Sequence, residues 1–241
     1  MTHFTRAFLF LLLGLVWTIV WAGESGPVSA AIELEAAGTG FTAYYRETPR
    51  GERRGAILLL HGRRSGPDSE GPIRSLRLSL PERGWATLSL ALSEMDAVPE
   101  AWLAETDARL AAGVAWVKGK NAGRIVVLGQ DTGALAVLNY LRGKQDPAIQ
   151  AGVLVETSSL SAIPGLPFGF NELSGIALPV LDLARRTEEE GMMRKTAFRA
   201  NPGYRQILIQ DADAEWRDSL EFLGNRIHAW LANLPVPKAA P

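Results

Sequence analysis

The chain has 241 residues and a net charge of −1, and 47% of its residues are hydrophobic, which is enough for one substantial core. Its lysines and arginines are scattered, so the sequence lacks the clustered basic face that binds nucleic acid. It contains no cysteine, which excludes disulfides, thiolate catalysis, Cys-based zinc sites and a lipidated-cysteine anchor.

The first 30 residues are predicted to be a signal peptide or a membrane anchor. Residues 1–6 carry one positive charge, and residues 7–22 are uncharged and strongly apolar, which is the order of segments in a secretory signal. Cleavage would follow Ala22 or Ala30, since each ends a small-x-small pattern. The alternative is membrane attachment through an uncleaved segment slightly shorter than a spanning helix. We expect a periplasmic or secreted protein, or one anchored in the inner membrane and facing the periplasm.

After this segment, short apolar runs alternate with helical patterns. Residues 32–35 and 41–46 predict an antiparallel pair of strands, and the continuous apolar run 55–60 predicts a strand buried on both faces. Further strands are predicted at 85–92, 124–128, 152–156, 178–183 and 204–210, and helices at 72–83, 104–118, 132–141, 188–199 and 214–234. This alternation predicts one α/β domain, residues 31–234, with a mostly parallel sheet and a flexible tail at 235–241.

The strongest motif is an apolar strand that runs into Gly-Gln-Asp-Thr-Gly and then into a helix with small residues. Gly129 and Gly133 flank Asp131 in a turn too tight for side chains. This pattern predicts a nucleophile elbow, in which Asp131 holds the nucleophile position in strained left-handed backbone with its side chain above the sheet. The N-terminus of the helix behind it favours an anion there.

A second motif, His61-Gly62, directly follows the predicted strand 55–60. In this architecture the loop supplies one backbone N–H to an oxyanion hole, and Thr132, the residue after the elbow, supplies the other. The residues predicted to surround Asp131 are His61, Gly62, Arg63, Gln130 and Thr132.

In this order the motifs resemble the α/β-hydrolase superfamily, and more narrowly a group of uncharacterised secreted bacterial α/β-hydrolase-like proteins. The similar stretches are residues 55–62, 80–92, 124–141, 178–183 and 204–231. The resemblance implies a three-layer sandwich whose mostly parallel sheet has antiparallel leading strands. It also implies a serine at the elbow, or an aspartate as in haloalkane dehalogenases and epoxide hydrolases. A histidine after the last strand and an acid after the strand 178–183 would complete the catalytic triad.

The chain departs from that pattern at both remaining triad positions. Ala214 stands about where the histidine belongs, and residues 184–188 offer no aspartate at the expected turn, where Glu188 is the alternative acid. Of the three histidines, His3 lies in the N-terminal segment, His61 in the oxyanion loop and His228 in the last helix. We expect His228 to be structural and His61 to brace its loop rather than to carry protons.

Asp131 has two interpretations. It can hold the turn without chemistry, because aspartate tolerates left-handed backbone better than most residues, with Arg63 and Arg64 neutralising its charge. Alternatively it is a nucleophile, and a carboxylate crowded against it, such as Asp213 or Glu215, replaces the missing base.

The leading hypothesis is therefore a catalytically degenerate α/β-hydrolase-fold protein with a binding or scaffolding role in the bacterial envelope. The alternative is an active esterase-, dehalogenase- or epoxide-hydrolase-like enzyme. We expect no cofactor, and one histidine with scattered carboxylates gives no reason to expect a metal.

Residues 158–177, rich in glycine and proline, are long enough only for a minimal lid, so we expect a shallow cleft above Asp131. Leu166, Phe168 and Phe170 within this segment either form a rim for a small apolar or ester-like ligand or fold back and plug the vacant site.

Overall fold

The computed structural model describes residues 29–49, 53–95, 98–143, 146–185, 189–209 and 220–234. The strands in this part of the chain are β1 (Ala30–Ala36), β2 (Thr39–Arg46), β3 (Gly55–Leu60), β4 (Trp85–Leu90), β5 (Ile125–Gln130), β6 (Ile149–Val155), β7 (Val180–Arg185) and β8 (Tyr204–Ile209). The helices are α1 (Pro72–Ser79), α2 (Pro99–Gly119), α3 (Thr132–Arg142), α4 (Glu189–Ala197) and α5 (Leu220–Ala232), with short 3₁₀ helices at Pro81–Arg83 and Asn171–Gly175.

The strands form one sheet in the order β1-β2-β4-β3-β5-β6-β7-β8. The β1–β2 and β2–β4 pairs are antiparallel, and the remaining pairs are parallel. The predicted mostly parallel sheet with antiparallel leading strands is therefore confirmed. In the parallel pair β3–β5, Leu60 lies opposite Gly129, so the loops that follow these two strands emerge side by side.

Helices cover both faces of the sheet, which explains why its central strands are apolar throughout. Every residue of β3 and β4 is buried. Alternate residues point to opposite faces, so Leu58 packs in the core with Leu135 of α3, while Ile57 packs in a second core with Leu223 of α5.

The predicted boundaries of several elements shift in the structure. The helix predicted from residue 104 begins at Pro99, because proline is well accommodated at the first helical position. The strand predicted at 178–183 is Val180–Arg185, and the last helix is described only from Leu220. Residues 1–28 of the predicted signal segment and the predicted tail 235–241 lie outside the described residues, whereas Ala30 is already the first residue of β1. Among the helices of the described part, none is both long and apolar enough to cross a membrane.

Candidate active site

Asp131 occupies a strained turn between β5 and α3. It has φ 54° and ψ −117°, a region that residues other than glycine rarely adopt and that costs about 1–3 kcal/mol. A Cβ on Gly129 would collide with the backbone of Gly133, and a Cβ on Gly133 would lie 2.5 Å from the carbonyl oxygen of Leu60. Both glycines are therefore required by close backbone packing, and the turn has the geometry of a nucleophile elbow.

Both oxygens of the Asp131 carboxylate accept hydrogen bonds from the protein. Oδ2 accepts the backbone N–H of Arg63 at 2.8 Å, and Oδ1 accepts the hydroxyl of Ser158. The backbone of Asp131 also forms hydrogen bonds with the end of β6 and the loop after it. Its N–H donates to the Val155 carbonyl at 3.0 Å, and its carbonyl accepts the Ser158 N–H at 3.3 Å. Asp131 thus joins the loops that follow β3, β5 and β6.

The loop after β3 lies directly against the elbow. A Cβ on Gly62 would stand 2.6 Å from Asp131 Cβ and 2.9 Å from Asp131 Oδ2, so only glycine fits there. In α/β-hydrolases an amide of this loop donates to the oxyanion of the substrate. Here the Arg63 amide donates to the elbow carboxylate instead. The guanidinium of Arg63 does not pair with Asp131, nor does that of Arg64, among the described residues.

Both ring nitrogens of His61 are engaged by the backbone. Nε2 accepts the Leu92 N–H at 3.0 Å, so Nδ1 carries the proton and donates to the Gly62 carbonyl at 2.9 Å. The side chain is 6% exposed. Burial lowers the pKa of His61, and the charge of Arg109 lowers it further, although the hydrogen bond to Gly62 acts to raise it. This neutral imidazole braces the loops after β3 and β4 and has no free nitrogen for proton transfer.

The other residues predicted around the elbow are placed as follows. Thr132 is buried at the first position of α3, and Gln130 is half-buried at the end of β5, opposite Val155. Asp213 and Glu215, the unconventional bases of the alternative hypothesis, lie outside the described residues, as does Ala214.

Strand β7 ends on a cation, and residues 186–188, where the triad acid was expected, lie outside the described residues. Arg185, the last residue of β7, forms an ion pair with Glu156, which follows β6. The carboxylate that β7 does carry, Asp182, is fully buried and pairs with Arg194 at 2.9 Å. It also accepts the Tyr204 hydroxyl at 2.7 Å. Asp182 therefore belongs to a buried network between β7, β8 and α4.

His228 lies near the amino ends of the central strands, whereas the elbow lies at their carboxyl ends. Burial lowers the pKa of His228, and the nearby charges of Arg83 and Arg54 lower it further. Arg54 immediately precedes β3 and Arg83 lies just before β4, so these cations mark the amino ends of the strands. Asp131 follows the carboxyl end of β5, and the structure does not bring His228 to it.

The sequence analysis missed the role of residues 158–161. In the sequence analysis Ser158 is only the first residue of the predicted lid, whereas in the structure its hydroxyl donates to the Asp131 carboxylate. The Glu190 carboxylate accepts hydrogen bonds from the Ser159 hydroxyl at 2.6 Å and the Leu160 N–H at 2.7 Å, and also from Ser161. Burial alone would raise the pKa of Glu190, but these hydrogen bonds outweigh it and lower the pKa. The acidic start of α4 thereby holds the loop that carries Ser158.

The aromatic residues of the predicted lid are not at the elbow. Phe168 is buried, and its ring centroid lies 4.5 Å from the guanidinium carbon of Arg142, the last residue of α3. Since α3 has 11 residues and rises about 1.5 Å per residue, this is the end of the helix away from Asp131. Phe170 lines a groove beside α4. The expectation that these rings form either a rim or a plug above Asp131 was wrong, because the segment runs down the side of α3.

The sheet order, the elbow and the loop after β3 define a protein with the α/β-hydrolase fold. Solved structures similar to this chain at low sequence identity include several hydrolases. They include the esterase Pf2001 from Pyrococcus furiosus, with a TM-score of 0.69 and 17% identity over 86% of this chain and 91% of that chain. Est1E from Butyrivibrio proteoclasticus has a TM-score of 0.69 and 16% identity, over 86% of this chain and 99% of that one. A dienelactone hydrolase from Anabaena variabilis has a TM-score of 0.68 and 17% identity, over 88% and 100%.

The chain belongs to the family described as "Protein of unknown function (DUF3530)", whose model matches residues 23–107 and 97–233. No curated protein matches the chain.

Proposed function

We propose that this chain is a non-hydrolytic α/β-hydrolase-fold protein of the bacterial envelope with a binding or scaffolding role. The observation that supports this most strongly is the 2.8 Å hydrogen bond from the Arg63 N–H to Asp131 Oδ2. It means that the elbow carboxylate occupies a donor that a working hydrolase reserves for its substrate.

An oxyanion hole acts by stabilising negative charge that develops on the substrate during the reaction. At this elbow a carboxylate already binds the Arg63 amide. A substrate carbonyl oxygen would have to displace that carboxylate from its donor, and its developing negative charge would be repelled by the carboxylate. The same geometry that satisfies Asp131 therefore opposes acyl transfer.

The absence of a usable histidine supports the same proposal. Both ring nitrogens of His61 form hydrogen bonds with the backbone. His228 lies beside Arg54 and Arg83, at the amino ends of the strands and away from the elbow. The remaining histidine, His3, is in the predicted signal segment. Loss of the base in triad hydrolases lowers kcat by several orders of magnitude. Within this proposal, Asp131 acts as a clasp that ties three loops together.

The test is ester hydrolysis by the purified protein and two elbow variants. We expect the wild-type protein not to hydrolyse p-nitrophenyl acetate or p-nitrophenyl butyrate above the buffer rate. Asp131→Ser restores the usual elbow residue and should also remain inactive, because no base is supplied. Wild-type turnover that disappears in Asp131→Ala would overturn the proposal and favour Asp131 as a nucleophile. Turnover that persists in Asp131→Ala would identify a contaminating esterase.

The envelope location is tested separately. We expect the full-length protein to fractionate with the periplasm or the inner membrane, and a variant lacking residues 7–22 to stay in the cytoplasm. A full-length protein found in the cytoplasm would contradict this part of the proposal. Native mass spectrometry of the exported protein would show whether a small apolar or ester-like ligand accompanies it, which is the partner we propose for a binding role.

A further inference from the structure

We propose that the outer edge of β8 binds an extended acidic segment of a partner protein as an additional strand. This surface is separate from the elbow, so the proposal holds whether or not Asp131 has a catalytic role.

The first observation is the position of β8 in the sheet. It is the last strand in the order and pairs only with β7 among the described strands. The Val180 N–H donates to the Gly203 carbonyl, and backbone direction alternates along a strand. The N–H and C=O groups of Gln206 and Leu208 consequently point away from β7. An unpaired edge of this kind is a template for another strand.

The second observation is a groove that follows this edge. Five consecutive residues, 204–208, line a groove of about 580 Å³ with Met192 and Lys195 of α4 on one side and Arg226 of α5 on the other. A neighbouring groove of about 520 Å³ shares Tyr204, Arg205, Ile207 and Arg226 with it and continues along α5. The two helices thus form walls on either side of the exposed strand backbone.

The third observation is the chemistry of the groove. Its apolar contacts are available to a partner, since Leu208 is 44% exposed and Met192 is 59% exposed. Its charged lining residues are Lys195, Arg205 and Arg226, and among the described residues no carboxylate lines either groove. None of these three cations forms an ion pair within the described part of the chain.

Other cations of the protein contrast with these three. Arg46, Arg53 and Arg109 each pair with a glutamate of the same chain. Lys195, Arg205 and Arg226 have no carboxylate partner among the described residues, and we infer that they meet the carboxylates of an external partner. Side chains of an added strand would alternate between the two faces of the sheet, so glutamates or aspartates interspersed with apolar residues would meet both the cations and the apolar groove.

A second copy of this chain is a poorer occupant of the same edge. Pairing of β8 with its own copy would bring Arg205 and Arg226 of both copies into one interface, and like charges across such an interface are destabilising. The cations therefore discourage self-association, as charged side chains do on other sheet edges, while they attract an acidic strand.

The experiment measures binding of a fluorescent acetyl-(Glu-Val)₄-amide peptide to the purified protein by fluorescence anisotropy. We expect saturable binding that weakens with added salt and no binding of the corresponding (Lys-Val)₄ peptide. The triple variant Lys195→Glu, Arg205→Glu, Arg226→Glu should weaken binding at least about tenfold. Arg199→Glu, an exposed cation that does not line this groove, is the matched control and should bind like wild type. Circular dichroism verifies that each variant is folded.

Two further arms test strand addition itself. Leu208→Pro removes an outward N–H without affecting the β7–β8 hydrogen bonds, and it should abolish binding. A (Glu-Val)₄ peptide with alternate N-methylated residues tests the same contact without changing the protein, and it should bind at least about tenfold more weakly. Equal binding of the N-methylated peptide, or no binding of the acidic peptide at millimolar concentration, would overturn the proposal. So would dimerisation through β8, seen by analytical ultracentrifugation as dimers that Leu208→Pro converts to monomers.

Discussion

Replacing Asp131 with alanine, glycine and asparagine separates the hydrogen bonds of the carboxylate from the strain of the turn. Alanine removes both acceptors but keeps a Cβ at φ 54°. Glycine removes the acceptors and also relieves the strain, because it adopts positive φ without a steric penalty. Asparagine keeps one acceptor for the Arg63 N–H and can place its amide against the Ser158 hydroxyl.

The expected changes in the free energy of unfolding follow from the contacts that Asp131 makes at the elbow. A hydrogen bond to a charged group contributes about 1.5–3 kcal/mol. Because Asp131 is half-buried, the lower value applies to each of its two bonds, about 3 kcal/mol together. Asp131→Ala should therefore lower the free energy of unfolding by about 3 kcal/mol. Asp131→Gly should recover about 1–3 kcal/mol of this by releasing strain, and Asp131→Asn should lose about 1 kcal/mol.

Equilibrium urea titrations followed by circular dichroism measure these differences through the transition midpoint, provided that the m-value is unchanged. The wild-type protein should be the most stable and the alanine variant the least, with the asparagine and glycine variants between them. An alanine variant as stable as wild type would show that the carboxylate does not hold the three loops. A glycine variant less stable than alanine would show that the turn is not strained.

The remaining predictions concern residues outside the elbow. Asp107 has a buried Oδ1 without a hydrogen-bond partner, and burial raises its pKa to about 6 despite the hydrogen bond from Asn139 and the charge of Arg142. The stabilisation from a protonated Asp107 is complete below about pH 4 and is lost as the pH rises through about 6. Between pH 4 and pH 7, the free energy of unfolding of Asp107→Asn should therefore rise by up to about 3 kcal/mol relative to that of wild type, as measured by thermal melts. A difference between the two proteins that does not change with pH would refute this. Phe168→Ala should lower the free energy of unfolding, measured by urea titration, by about 3–4 kcal/mol. It should leave the amide resonance of Arg63 unshifted, and a shifted resonance would show that Phe168 packs near the elbow.

The sequence predicted the fold well because apolar periodicity and the two glycine motifs are local signals. Strand 55–60 is buried on both faces, and a Cβ at Gly129 or Gly133 would strike backbone, so short-range pattern and packing agree there. The elbow position of Asp131 followed from the same local chemistry.

The partners of that elbow could not be predicted in the same way. Ser158 is 27 positions from Asp131, and it reaches the carboxylate because β5 and β6 are parallel neighbours whose following loops meet. Phe168 lies in an irregular segment without periodicity, so nothing local indicated that it would pack beside Arg142 rather than above the elbow. The exposed edge of β8 depended on strand order, which composition does not reveal.

The most direct test of the central claim is the amide proton of Arg63, because it reports whether the Asp131 carboxylate accepts the Arg63 N–H of the loop after β3. Nuclear magnetic resonance of the labelled protein would measure its chemical shift and its hydrogen exchange in wild type and in Asp131→Ala. We expect a downfield, slowly exchanging Arg63 amide in the wild-type protein that moves upfield and exchanges rapidly in Asp131→Ala. An Arg63 amide that exchanges freely in wild type and is unchanged in Asp131→Ala would contradict the account, because the oxyanion donor would then be free for a substrate.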